Sequence, residues 1–443
     1  MTNSRNTAVK ILKKVLHNNA YSNIVLSEYL NRENLDRRDR AFITEIVYGT
    51  LRYKYTIDSI LNSFLKNGVG KLDEDILNIL RISIFQLRYL DKVPEFAVVN
   101  EAVELSKRKS FKLSRLVNGV LRNYLRKRNI VGFGQNGDKI GRLCFKYSFP
   151  RWMVELFISQ YGEGVGETIL KNSNIVPKIT VRINSLKADY KQVWNKLEES
   201  GYDVERGTLC REALIIKKGS SIESNPLFKR GYITVQDESS MLVALIMDVK
   251  ENMTVLDLCS APGGKSCHIS ELMGDTGKVY ACDLHENKLA LVKENADRLG
   301  IKNIICNKID AEEYVEQFQG ISDRVLIDVP CSGLGIIRKK PEIKWTKNKN
   351  SINNLIKIQR NIMINASKYV KKGGKLIYST CTLNKMENDE NIRWFIGKNP
   401  QFKLEKINCG DFENIIYNRG GYMTILPSEN VDGFFIAKMI KYR

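Results

Sequence analysis

The sequence predicts three parts in series: an all-helical N-terminal bundle, a small α+β module, and a C-terminal α/β domain built on a parallel sheet of the doubly wound kind. Three observations carry this reading. Apolar residues recur at helical spacing through about the first 130 residues. Strand and helix patterns then alternate as far as Val235. From Val255 onward, five short apolar runs each end in a polar or acidic residue, with helical stretches between them. The boundaries that follow are 1–135, 136–235 and 236–443.

In the first part, Ala8, Ile11, Leu12, Val15 and Leu16 share a helical face, as do Ala41, Phe42, Ile46 and Val47, then Ile57, Ile60, Leu61 and Phe64. The first 150 residues hold 27 Lys and Arg against 14 Asp and Glu, so this third carries +13 of the chain's net +20. Its densest stretch is Lys107, Arg108, Lys109, Lys112, Arg115, Arg122, Arg126, Lys127 and Arg128, with no acid between Ser106 and Arg128. Leu113, Leu116, Val117, Val120, Leu121 and Tyr124 interleave at helical spacing, which puts an apolar set on one face and a basic set on the other. A solvated helix face is the plain explanation. Cations with no anion among them lack internal pairing, however, and a phosphate-contacting face is favoured.

Gly132, Gly134 and Gly137 mark a linker between Val131 and Asp138. Beyond it, Phe149-Pro150-Arg151-Trp152 opens the second part. Ile179 to Asn184 alternates as a strand, Tyr190 to Leu197 is an amphipathic helix, and Ala213 to Lys217 is another strand. Arg182 and Asn184 are expected on the exposed face of the first strand, with RNA contact the less favoured option. Asp237 or Ser239 is placed to cap the helix that leads into the third part.

That third part is organised around Val255-Leu256-Asp257-Leu258-Cys259-Ser260-Ala261-Pro262-Gly263-Gly264-Lys265-Ser266, which reads as a buried strand, a tight glycine turn and a helix start. A Walker loop needs Gly where Cys259 stands, and the G-x-G-x-x-G of dinucleotide sites is absent, so a phosphate site is not indicated. Lys278 to Cys282 is a second strand, ended by Asp283 at the spacing where an acid meets ribose hydroxyls. A third, Asn303 to Lys308, ends near Asp310. A fourth, Arg324 to Ile327, runs into Asp328-Val329-Pro330-Cys331-Ser332-Gly333, and a fifth, Lys375 to Tyr378, into Ser379-Thr380-Cys381-Thr382. Ligands of open α/β sheets bind outside the carboxyl ends of the strands, so these loops should converge on one crevice holding Asp283, Asp310, Asp328, Cys331 and Cys381. The basic, aromatic stretch Lys339 to Trp345 follows directly and is expected where a flipped base or its flanking phosphates pass. The tail from Pro427 to Ile440 is expected as a turn and a strand closing the sheet's edge.

Several function classes are disfavoured. No apolar run approaches the roughly 18 residues of a membrane span, and Met1 to Lys10 is too polar for a signal peptide, so a cytoplasmic chain without a membrane partner is expected. The pI of about 9.4 favours a polyanionic partner. Nine cysteines without a C-x-x-C pair support neither a disulfide framework nor a zinc site, and Cys267 beside His268 reads as helix packing, so no metal is expected. With only His17, His268 and His285 present, histidine-centred chemistry has little to draw on.

Asp257-x-Cys-x-Ala-Pro-Gly-Gly-Lys, Asp328-x-Pro-Cys-Ser-Gly-x-Gly and Ser379-Thr380-Cys381-Thr382 resemble the signature loops of the Sun-type RNA cytosine-5 methyltransferases. Asp39-Arg40-Ala41-Phe42, Val47-Tyr48-Gly49-Thr50 and Leu116 to Arg122 resemble, less closely, a NusB-like RNA-binding domain, and the second part resembles a ferredoxin-like insert. The resemblance implies a class I (Rossmann-like) methyltransferase domain, S-adenosyl-L-methionine as cofactor, and 16S ribosomal RNA as partner, with a monomer expected. It assigns addition to carbon 6 of the cytosine to Cys381 and release to Cys331, a choice that chemistry alone leaves open. Asp328 would bond the base near N3. Asp283 would accept from the cofactor's ribose and Asp310 face its adenine. Cys259, Ser260, Ala261, Pro262, Gly263, Gly264 and Lys265 would wrap its methionine end, with Lys265 reaching either cofactor or RNA. Two other readings stay open: the same chemistry on transfer RNA or another RNA, and a non-enzymatic RNA-binding or assembly factor.

Overall fold

The computed structural model describes residues 4–18, 20–32, 35–129, 138–418 and 420–443. They form two compact units, one of Met1–Asn174 with Ile337–Lys347, the other of Ile175–Ile336 with Asn348–Arg443. The glycine linker expected at 131–137 lies outside the described residues.

The first unit is helical, and its helices start where side chains can serve the unpaired N–H groups of a first turn. Asp36 caps the helix Arg37–Asn62 by accepting from the Asp39 amide, and Asp73 caps Glu74–Tyr89 by accepting from Asp75 and Ile76. Ile11, Leu12, Ile46, Val47, Ile57, Ile60 and Leu61 are fully buried in one cluster. Each such side chain stabilises by about 1.5–3 kcal/mol relative to exposure.

The basic helix runs from Phe111 to Lys127 with Val117, Val120, Leu121 and Tyr124 buried. Two expectations need correction. Leu116 is exposed, because it lies about 100° around the helix from Val117 and off the buried stripe. The cationic run also does find acids, supplied by other helices or an earlier turn: Lys107 pairs with Glu104, Lys109 with Asp73 and Asp75, and Arg128 with Glu95. Lys112, Arg115, Arg122, Arg126 and Lys127 remain as an exposed basic face.

The stretch Lys339 to Trp345 is the largest departure from expectation. Lys344 is 1% exposed, and its ammonium donates to the carbonyls of Arg52 (3.0 Å) and Ser148 (3.1 Å) and to Asn174 Oδ1 (2.7 Å). Trp345 Nε1 donates to the Leu51 carbonyl at 2.8 Å, and Glu342 accepts from the amide and hydroxyl of Ser22. Lys344 is thus held inside the helical unit and is not free to meet a flipped base or its phosphates. Burial, with Arg52 nearby, pushes the Lys344 ammonium well below the usual lysine range.

In the second unit, strands β1 (Ile179–Ile183), β2 (Asp203–Arg206), β3 (Ala213–Lys218) and β4 (Ile233–Val235) form an antiparallel sheet in the order β2-β3-β1-β4. A nine-stranded sheet follows. Its strands are β5 (Thr254–Asp257), β6 (Lys278–Asp283), β7 (Ile304–Lys308), β8 (Ser322–Asp328), β9 (Val370–Thr380), β10 (Phe402–Leu404), β11 (Ile415–Asn418), β12 (Tyr422–Ile425) and β13 (Phe434–Lys441). The order is β11-β12-β13-β9-β8-β5-β6-β7, with β10 paired to β13. Strands β5 to β9 are mutually parallel, and β13 runs antiparallel to β9. Val255, Leu256, Val325, Leu326, Ile327, Leu376, Ile377 and Tyr378 are all fully buried, as strands covered on both faces require. The tail strand β13 does not close the edge: it lies inside the sheet, and β11 is the outermost strand on that side.

The polar residues of β1 are also not exposed. Arg182, fully buried, grips Glu271 with Nε (3.0 Å) and Nη2 (2.7 Å) and donates from Nη1 to the Gly264 carbonyl (3.0 Å) and to Gln236. Asn184 donates to the carbonyls of Gly231 and Leu299. Alternation along β1 marks two buried faces, one of them covered by the neighbouring α/β core.

Candidate active site

Strand order reverses between β5 and β8, and the crevice opens outside the carboxyl ends of the strands there, as an open α/β sheet requires. A cavity of about 290 Å³ is lined by Cys259 and Ala261 after β5, Asp283 at the end of β6, Asp310 after β7, Asp328 at the end of β8 and Pro330 just beyond it. Ile309, Ala311, Ile358 and Ile362 give it apolar walls. Asp283 Oδ1 accepts from the His285 amide at 3.0 Å, and Asp310 Oδ1 from the Glu312 amide at 2.9 Å.

The glycine turn is shaped by its own bonds. The Ser260 amide donates to the Cys282 carbonyl (2.8 Å) and the Gly263 amide to the Ser260 carbonyl (2.7 Å). The Pro262 carbonyl accepts from Asn295 at 2.9 Å. Gly263 has φ +99° and a Cβ there would lie 3.0 Å from Val292 Cα, so both conformation and space call for glycine. Gly264 begins the helix Gly264–Leu272. Ser260, Pro262, Gly263, Gly264 and Lys265 thus support the cavity without lining it.

Behind the turn, Asp257 is 1% exposed and accepts from Ser266 Oγ at 2.6 Å. Burial pushes its carboxyl up to about 7 against the opposing Ser266 bond, with the Asp328 charge adding to the rise. Lys265 Nζ meets Asp328 Oδ2 at 2.7 Å, and Asp328 Oδ1 accepts from Ser379 Oγ at 2.7 Å. Burial disfavours the Lys265 charge, but the Asp328 carboxylate outweighs it and holds the ammonium above its ordinary value. Lys265 is therefore engaged by Asp328.

The loops after β8 and β9 bring the two cysteines together: Cys331 Sγ and Cys381 Sγ are 3.2 Å apart, both as free thiols. The Cys381 sulfur at this distance, together with burial, pushes the Cys331 thiol well above the usual cysteine range. Beneath them lies a network that sequence reasoning missed. Glu387, fully buried, accepts at Oε1 from the Ser332 amide (2.8 Å) and Gln359 (3.1 Å), and at Oε2 from the hydroxyls of Ser332 (2.5 Å) and Thr382 (3.3 Å) and from Asn384 (3.1 Å). The mainly polar stretch from Thr382 to Asn388, between an apolar strand and an amphipathic helix, was the available signal. Among the sequence-predicted residues the structure thus gathers Cys259, Ala261, Asp283, Asp310 and Asp328 at one cavity and pairs Cys331 with Cys381 beside it. Cys267 and His268 do not act as a pair: Cys267 is packed in a buried cluster while His268 Nε2 faces Glu212 at 3.2 Å.

Residues 244–440 match a family described as 16S rRNA methyltransferase RsmB/F, residues 2–126 match the NusB family, and residues 149–223 match a ferredoxin-like domain described as Methyltr_RsmF/B-like. The chain is 40% identical over 447 residues to the probable ribosomal RNA small subunit methyltransferase B of Bacillus subtilis, with 99% of each chain covered. It is 35% identical over 453 residues to the Synechocystis protein of the same name, with 100% of each covered. The crystal structure of PH0851 is similar over 100% of this chain and 99% of that one, at a TM-score of 0.84 and 27% identity.

Proposed function

We propose, from the premise that the chain belongs to the ribosomal RNA small subunit methyltransferase B family, that it transfers a methyl group to carbon 5 of a cytosine in 16S ribosomal RNA through a covalent bond between Cys381 and carbon 6. The cofactor of the family is S-adenosyl-L-methionine, which supplies an electrophilic methyl group on a sulfonium.

The observation that carries the reading is the pair of thiols 3.2 Å apart at the strand ends. Carbon 5 of cytosine is a poor nucleophile until a thiolate adds to carbon 6, so covalent catalysis divides one hard step into easier ones. Release then requires loss of the carbon 5 proton and cleavage of the sulfur–carbon bond, a second task for a second group. The likeness of the Thr-Cys and Pro-Cys loops to those of the family assigns addition to Cys381 and release to Cys331, and the 3.2 Å contact puts both sulfurs at one reacting base. Asp328, oriented by Ser379 and Lys265, presents a fixed carboxyl to the base near N3.

The cavity residues fit the cofactor. Asp283 accepts from ribose hydroxyls, Asp310 from the adenine amino group, and Ile309, Ala311, Ile358 and Ile362 hold the ring between apolar walls. The turn from Cys259 to Lys265 wraps the methionine end, with Cys259 and Ala261 at the cavity wall and backbone amides of the turn taking the carboxylate. The base must leave its stack to reach the thiols, so the target cytosine is presented from a loop or bulge. The exposed cations of the helix Phe111–Lys127 support a polyanionic partner. We place the protein with its RNA in the cytoplasm, as a monomer.

The test is a denaturing gel after incubation with S-adenosylmethionine and small-subunit ribosomal RNA. Cys331→Ala should accumulate a slow-migrating covalent RNA adduct and Cys381→Ala should form none. Exchange of the two outcomes makes Cys331 the nucleophile. Absence of adduct and of methyl transfer on this RNA, with transfer on transfer RNA, would move the substrate and keep the chemistry.

A further inference from the structure

A carboxylate that is fully buried and bonded to five donors is costly to desolvate, so its position needs a reason beyond packing. The partners of Glu387 supply one. Ser332 follows Cys331 directly and Thr382 follows Cys381 directly. The two hydroxyl oxygens are also 2.7 Å apart, so the Thr382 proton is shared between Ser332 Oγ and Glu387. Gln359, which reaches Glu387, donates at 3.0 Å to the carbonyl of Pro330 on the other side of Cys331. Asn384 draws in the chain three residues beyond Cys381.

We propose that Glu387 is the positioning residue of the thiol pair: by accepting from Ser332 and Thr382 together, its carboxylate sets the register of the β8 and β9 loops that places the two sulfurs in contact. The proposal rests on the division of labour between Cys331 and Cys381 given above. Glu387 touches neither sulfur and acts through the residues beside them. Backbone pairing alone does not fix the sulfurs, since the ladder of β8 and β9 ends at Asp328 and Ser379, before either cysteine. The bond from the Gly335 amide to the Cys381 carbonyl, at 2.9 Å, is independent of Glu387 and keeps the loops attached when the carboxylate is replaced.

Glu387→Gln is the sharpest variant, because the amide puts N–H donors where three donors now converge. Two readouts are needed, one without RNA. Diamide takes two hydrogens from a pair of thiols, becoming the hydrazine and leaving a disulfide, so the rate of Cys331–Cys381 closure, followed by peptide mass mapping, reports sulfur placement directly. Closure should slow by about tenfold or more in Glu387→Gln, and kcat for methyl transfer should fall by about a hundredfold with KM within about threefold, as expected for a misplacement near 1 Å. Cofactor affinity by calorimetry should not change. Ser332→Ala, which removes one arm of the tie and buries no new donor, should slow closure less, and it decides the matter if Glu387→Gln fails to melt cooperatively. Unchanged closure in the folded variants overturns the positioning role whatever happens to turnover. Failure of the wild type to methylate this RNA would instead strike the reading above, and the closure rates would still test Glu387.

Discussion

On the β5–β7 side of the crevice, Asp283 and Asp310 each engage one neighbouring backbone N–H and otherwise line an apolar-walled cavity, whereas on the β8–β9 side Glu387 alone accepts from five donors out of solvent. A recognition surface needs polar groups whose bonding capacity is kept for a ligand. A surface that holds reacting atoms needs the reverse, because a fully satisfied buried network is rigid and holds its side chains to one geometry. The two halves of one crevice are therefore built to opposite rules, and each should fail in its own way.

The largest effect belongs to the thiol side. Cys381→Ala should lower methyl transfer by about 10⁴-fold or more while leaving the cofactor dissociation constant unchanged by calorimetry. If cofactor binding falls as well, the halves are coupled and the comparison breaks. Next in size, Asp283→Asn should weaken cofactor binding by about 1.5–3 kcal/mol, through loss of a charge-assisted hydrogen bond, with kcat at saturating cofactor little altered. Gly263→Ala should act in the same direction by about 1–3 kcal/mol, because the positive φ and the approach to Val292 both oppose a side chain, and diamide closure of the thiols should proceed at the wild-type rate.

The last effect lies outside the catalytic cycle and is read on stability alone. Asp257, with its carboxyl pushed up to about 7, stays protonated in the folded chain where the unfolded chain has already ionised. Its stabilising contribution is fully present below the unfolded value, near 4, and is lost as pH rises through about 7, by at most about 1.4 kcal/mol per pH unit. Asp257→Asn removes that dependence, so the variant should gain melting temperature relative to wild type between pH 5 and pH 8. A constant difference across that window would mean that Asp257 is ionised throughout.

Much of the site was legible in the sequence, for a local reason. A parallel strand is a contiguous apolar run, its last residue is a local event, and the sheet carries all such ends to one side, so Asp283, Asp310, Asp328, Cys331 and Cys381 announce a crevice before any contact is known. Glu387 gave no comparable signal: it stands six residues beyond Cys381 and resembles the acid of a helix start. Polar residues that look solvated misled for the same reason. Lys344 sits in a basic stretch, yet its acceptors lie 170 to 292 positions away, and Arg182 on an alternating strand finds Glu271 89 positions on.

By itself, then, the sequence determined what depends on short-range order: helical unit, module and α/β core, the strand-end acids, and the presence of two cysteines on adjacent loops. Tertiary structure alone decided which charges are buried, that β13 lies within the sheet, and that the two sulfurs touch. Hydrophobic periodicity and turn chemistry act over a few residues and can be read along the chain, whereas satisfying a buried ion or setting a 3.2 Å sulfur contact depends on partners that only the folded chain brings together.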